Sequence, residues 1–278
     1  MGRIIKEKFC NPDCLLNVEI PELMIKEFFG ENNRNEIFTR YNDMRENFDR
    51  TYIQWQDNFN TKSKPYNWEK GKRNDNTTAI EIKGSLFDDK IKDFKQIGFD
   101  LPTWFNISEN KPRIMFIAQD PLRSEYYKDC FIIVSSPFGM HDQKHRKGKI
   151  ETRLFEELVE NCDYGIYITD YHKFYLQHYD ETRIRGFQNT QNQKYNDVLT
   201  KEIEFVKPNL IVTLGNIAVS YFEQKDKKNI LSMTHLSGNN RRRGNIQKYL
   251  ENKEMGADGK YTNKFIAEQY AQIIKRNL

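Results

Sequence analysis

At 278 residues, with 37% hydrophobic, 13% aromatic and 30% charged residues, the chain can bury a sizeable core in one or two domains and is too aromatic for a disordered polypeptide. Its formal net charge of +4 is too small to imply nucleic-acid binding by itself. No run of about 18 apolar residues occurs, and MGRIIKEKFC lacks an apolar segment followed by a small-residue cleavage site, so neither membrane spanning nor secretion is expected and a cytoplasmic location is.

In chain order, residues 1 to about 105 contain PELMIKEFFGE and NRNEIFTRYNDMRENFDRTYIQWQDNF, whose apolar residues recur at three and four and predict helices. The polar stretch 60–78 has turn formers and no period, and reads as a loop. After residue 110 the pattern changes. RIMFIA (113–118), GIYIT (165–169), LIVTL (210–214) and ILSMT (230–234) are short apolar runs of strand length. Between them lie ETRLFEELVENC, NQKYNDVLTKEIEFV and NIAVSYFEQ with helical periodicity, and TNKFIAEQYAQIIKR closes the chain. The expectation is a three-layer α/β/α domain over 106–278 with a central, mainly parallel four-stranded sheet, preceded by a mostly helical N-terminal extension over 1–105.

In such sheets ligands bind beyond the carboxyl ends of the strands. Gln119-Asp120-Pro121 follows the first run, Asp170 the second, Gly215 the third and His235 the fourth, which would bring two carboxylates and an imidazole to one edge. Singly, each has a plain alternative as a turn, a helix cap or a loop histidine. The segments 141–149 and 239–245 are basic enough to face phosphates, or simply water. Cys10, Cys14, Cys130 and Cys162 are too few for a disulfide framework. They read as free thiols and no cofactor is expected; the alternative is a metal or iron–sulfur site that Cys10 and Cys14, one helical turn apart, would share with Cys130 and Cys162.

FIAQDP (116–121), VTLG-x-x-A (212–218) and His235-Leu236-Ser237 together resemble the uracil-DNA glycosylase superfamily, whose first motif is of the G-Q-D-P-Y-H type and whose second is of the H-P-S-P type. Ser136-Pro137-Phe138-Gly139-Met140 is similar to the P-F-G-M signature of the single-strand-selective branch, and Tyr167-Ile168-Thr169-Asp170 to the Y-I-T-N of the iron–sulfur branch. The iron–sulfur ligand set is not followed, because Phe174 stands where that branch places a ligand. The resemblance covers 110–278.

What it implies is hydrolysis of the bond between a base and deoxyribose after the nucleotide is flipped into a pocket. By resemblance Asp120 would stabilise the cationic sugar and position or activate water. His235 would hydrogen-bond O2 of the departing base and Phe138 would stack on it, with Gln119 and Ser237 completing the pocket. Two departures concern base choice. Leu122 replaces the Tyr that crowds the C5 edge of uracil, and Asp170 replaces the uracil-reading Asn. A carboxyl group can accept from the N4 amino group of cytosine and, if protonated, donate to N3. The expected substrate is therefore a C5-modified cytosine, such as a glucosylated hydroxymethylcytosine of phage DNA, because attack on ordinary cytosine would destroy the cell's own genome. In the second motif Asn239, Arg241, Arg242 and Arg243 would contact DNA, with an arginine as the wedge. The expected partner is double-stranded DNA, bound by a monomer. The alternatives are a repair glycosylase for uracil or another deaminated base, a glycosylase-fold DNA-binding protein without catalysis, and Mg²⁺-dependent phosphodiester hydrolysis.

Overall fold

The computed structural model describes residues 6–12, 14–46, 48, 79–80, 96–119, 132–141, 143–146, 148–177, 181–215, 221–222, 229–236 and 261–278. Its main sheet has five strands. Thr103–Phe105 (β3), Arg113–Ala118 (β4), Gly165–Asp170 (β6), Leu210–Leu214 (β8) and Ile230–Met233 (β9) lie in the spatial order β3-β6-β4-β8-β9. The last four are mutually parallel; β4, β6 and β8 are buried on both faces, as their continuous apolar runs require, and β9 is a half-exposed edge. β3 adds an antiparallel edge from just before the expected boundary at residue 105.

Pleating divides the sheet's side chains between two helical layers. On one face, after the short helix α3 (Gln143–Arg146), Phe155 of helix α4 (Ile150–Glu156) meets Phe116 of β4 at 5.0 Å, and α4 packs on the C-terminal helix α6 (Asn263–Asn277). Thr262 caps α6 by accepting from the Phe265 N–H. On the other face Tyr167 of β6 donates to Glu202 of the long helix α5 (Glu181–Val206), which packs on α1 (Leu16–Met24). Helix α2 (Arg34–Glu46) joins this face through Tyr41, whose ring lies 5.7 Å from Trp104. The three-layer α/β/α arrangement is thus present, with helices preceding it in the chain.

A second sheet was not foreseen from the sequence. Ala79–Ile80 (β1), Gln96–Asp100 (β2), Ile132–Ser135 (β5) and Phe174–Gln177 (β7) are ordered β1-β5-β2-β7. β2 runs into β3, and β6 runs into β7. The two pairs therefore form one bent antiparallel ribbon that crosses from the second sheet to the first.

Candidate active site

The carboxyl ends of the parallel strands finish at one level. Ala118 is paired in register with Asp170, Ile117 with Thr213 and Leu214 with Met233. Backbone bonds carry the ladders slightly further: Tyr171 N–H donates to Ala118 O (3.0 Å), His172 N–H to Gln119 O (2.9 Å) and Gly215 N–H to Met233 O (2.9 Å). The edge accordingly presents, in spatial order, Asp170, Gln119, Gly215 and His235. Three inter-strand spacings separate the first strand from the last, about 14 Å between backbones at about 4.8 Å each, wide enough to admit a planar base between side chains.

Register also fixes the face. Phe116, on the α4 side, pairs with Ile168, so Asp170, two residues on, points to that same side. Phe116 also pairs with Val212. Leu214 and its partner Met233 share the face, and His235 follows Met233 by two. The aromatic contacts agree: the Phe138 ring lies 5.7 Å from His235 and 6.0 Å from Phe155. Asp170, Phe138 and His235 thus stand on one side of one sheet edge. Asp170 is buried, whereas Phe138 and His235 keep partial exposure and Gln119 is exposed.

Gly215 has φ +94°, and a Cβ built on it would lie 4.0 Å from His235 Cβ. The room is adequate, but the backbone region is one that residues with a side chain rarely enter, so the chain needs glycine to turn here beside the histidine.

Phe138 itself has φ +58°, a costly value for a bulky residue. Its loop is held by buried polar groups on either side. Ser136 Oγ lies 2.7 Å from His141 Nδ1 and accepts from the His141 N–H at 3.0 Å. Arg146 donates to Met140 O at 2.6 Å and to Phe48 O at 2.5 Å, with its guanidinium 3.6 Å over the Phe48 ring. Gly139, at φ +65°, lets the turn close after Phe138. The loop therefore presents an aromatic ring next to His235 at the expense of local strain, and rigid supports hold it there.

Burial lowers the pKa of His235, favouring the neutral imidazole, which can donate to an oxygen that gains negative charge. His172, next to the site, is pushed down to about 4 by desolvation, and its Nδ1 has no hydrogen-bond partner among the described residues. Behind β6, Lys173 and Glu202 form an ion pair at 2.8 Å with both side chains fully buried. Sequence reading named Ser136 and His141 only within longer segments, gave neither a role, and missed the pair of Lys173 and Glu202. Lys173 within the apolar YHKFYL was a signal for the last pair; nothing in the spacing pointed to Glu202.

Asp120, Leu122, Ser237, Asn239, Arg241, Arg242 and Arg243 lie outside the described residues, as do Cys130 and most of NIAVSYFEQ. Cys10, Cys14 and Cys162 are free thiols, and burial pushes Cys10 up to about 12. Among the described residues no three His, Cys, Asp or Glu side chains gather closely enough to hold a metal ion, and no helix is long and apolar enough to cross a membrane.

No curated protein matches the chain. The family model of the uracil DNA glycosylase superfamily matches residues 105–255, more than half of the sequence, and this span contains every strand of the main sheet beyond the first two residues of β3. With that match laid over a parallel sheet whose carboxyl edge carries Asp170, Phe138 and His235 on one side, the chain belongs to the uracil DNA glycosylase superfamily.

Proposed function

We propose that the protein is a DNA glycosylase that removes a flipped, C5-modified cytosine from double-stranded DNA and acts in defence against phages whose DNA carries such bases. The observation that carries this reading is Asp170, buried on the side of the sheet edge that bears Phe138 and His235; the sequence resemblance aligns it with the uracil-reading Asn. Phe138 stacks on the extruded ring. Asp170 accepts from the exocyclic amino group, which cytosine has and uracil lacks.

As the C1′–N1 bond breaks, its electron pair leaves with the base, and the neutral His235 stabilises the charge that collects on O2. The role of Asp120 is to stabilise the cationic sugar and activate the water that adds to C1′; the water's proton passes to the carboxylate or to solvent. Gln119 and Ser237 complete the pocket, and Leu122 leaves space for the C5 substituent. Asn239, Arg241, Arg242 and Arg243 hold the DNA backbone and the gap left by the flipped base.

Duplexes carrying uracil, cytosine, hydroxymethylcytosine or glucosylated hydroxymethylcytosine, assayed for abasic sites, test the reading. Abasic sites in modified-cytosine DNA, abolished by Asp120→Asn and shifted toward uracil by Asp170→Asn, are the expected result. Release of uracil alone by the wild-type protein would overturn the substrate, and DNA binding without abasic product on any duplex would overturn the activity.

A further inference from the structure

We propose that Thr169, Lys173 and Glu202 form a buried clamp that sets the position of Asp170 and, through Gln119, of the segment leading to Asp120. This inference rests on the reading of Asp170 as the base-selecting group. It begins with the bent ribbon. On either side of the bend Thr103 pairs with Ile168 and Phe99 with Phe174, leaving residues 100–102 on one strand opposite 169–173 on the other. Three residues facing five means that the second strand carries a surplus of two, which must arch away from β2 and β3 while Asp170 stays paired with Ala118 of β4. Asp170, Tyr171 and His172 are the arch.

Its two feet are tied together. Lys173 Nζ donates to Thr169 Oγ1 at 2.5 Å and to both Glu202 oxygens at 2.9 and 2.8 Å, using all three of its N–H groups. Thr169 Oγ1 donates in turn to Glu202 Oε1 at 2.9 Å, and Tyr167 donates to the same oxygen at 3.0 Å. The top of the arch is docked on the outgoing end of β4, where the Tyr171 and His172 N–H groups reach Ala118 O and Gln119 O. The clamp therefore fixes the arch, and the arch fixes the exit of the strand that carries the first motif.

Such a pair is not explained by stability. Two charges taken fully out of water are seldom better for stability than well-packed apolar side chains of similar volume, whereas directional bonds hold a geometry that apolar packing does not. Because alternate residues of β6 point to opposite faces, Thr169 lies on the α5 side and Asp170 on the side of Phe138. The clamp acts without touching the base. Its members are positioning residues.

Thr169→Val removes the hydroxyl at nearly constant volume, Thr169→Ser keeps it, and the double variant Lys173→Met/Glu202→Leu removes both charges without stranding either. For each full-length protein, amide hydrogen exchange at Tyr171 and His172 is measured together with kcat and KM for abasic-site formation. We expect Thr169→Val and the double variant to lose tenfold or more of the protection at these two amides and of kcat, with a narrower preference between modified cytosine and uracil, and Thr169→Ser to match wild type. Unchanged protection in Thr169→Val, or Thr169→Ser as impaired as Thr169→Val, overturns the clamp. If the wild-type protein forms no abasic sites, the functional reading fails, and the exchange data still decide the clamp on their own.

Discussion

His172 is an imidazole placed where protonation is penalised. It is 6% exposed, stacks edge-on against Tyr171 and Tyr195, and its pKa falls from an ordinary value near 6.5 to about 4. In the unfolded chain the ring takes up a proton as pH drops through about 6.5, while the folded protein resists until about 4. Between those values the unfolded state binds more protons, so the stability contributed by the neutral ring is complete above the upper value and is lost as pH falls through the window. The urea-unfolding free energy should decrease by about 2 kcal/mol from pH 7.5 to pH 5 on this account, and His172→Phe should flatten that slope. Burial shifts His235 in the same direction, so a residual slope in the variant is expected from it. At this scale the strand-end placement of Asp170 and His235 could be read from the sequence, because each follows a strand-length apolar run. The partners Lys173 and Glu202, 29 positions apart, could not, because only the packing of α5 on β6 brings them together.

The four parallel strands were readable for a related physical reason. A strand covered on both faces needs apolar residues at every position, and RIMFIA and LIVTL match β4 and β8 in both bounds. The second sheet was harder to read: β1 has two residues and β7 alternates weakly over four, while β5 lies in the apolar run 131–134, a signal that sequence reading passed over. Its strands pair across long stretches of chain, which local periodicity does not report. That sheet nevertheless matters to the site, since β5 delivers the turn bearing Phe138. Its partner β2 continues the hold, with Leu101 N–H donating to Ser135 O at 2.9 Å. Ser136→Ala would remove both Ser136–His141 bonds from the base of this turn. We expect a loss of about 2 kcal/mol in unfolding free energy and, because Phe138 is released from its strained φ, a larger fall in kcat than in DNA affinity; the comparison of a urea titration with steady-state kinetics checks it.

Across the whole molecule, we propose that residues 106–278 are the glycosylase unit and that 1–105 form an extension built into it. Phe9 stacks on Phe48 at 4.5 Å and meets Phe105 at 5.1 Å, while Phe28 and Phe29 pack on Phe99, and Phe28 also on Phe174. Lys201 of α5 pairs with Glu27, and Lys8 with Glu160. These contacts place early residues in the same hydrophobic core as the main sheet. Unfolding of the full chain should therefore be one transition, with tryptophan fluorescence and far-ultraviolet circular dichroism giving coincident midpoints; separated midpoints would mean that the extension melts alone. DNA binding belongs to this scale as well, because a net charge of +4 leaves affinity to local clusters. Arg242→Gln should weaken binding to all sequences and make the dependence of log K on log salt less steep by about one unit, measured by fluorescence anisotropy over a salt series.

The alternation along β6 separates two kinds of change. Thr169 answers to the α5 layer and Asp170 to the opposite layer, although a single peptide bond joins them. A swap of Asp for Asn or another small polar group at the second position changes the group presented on the Phe138 side while the hydroxyl anchored to Glu202 at the first stays in place. Under the function proposed above, the base-selecting position can therefore change one codon at a time with its framework intact.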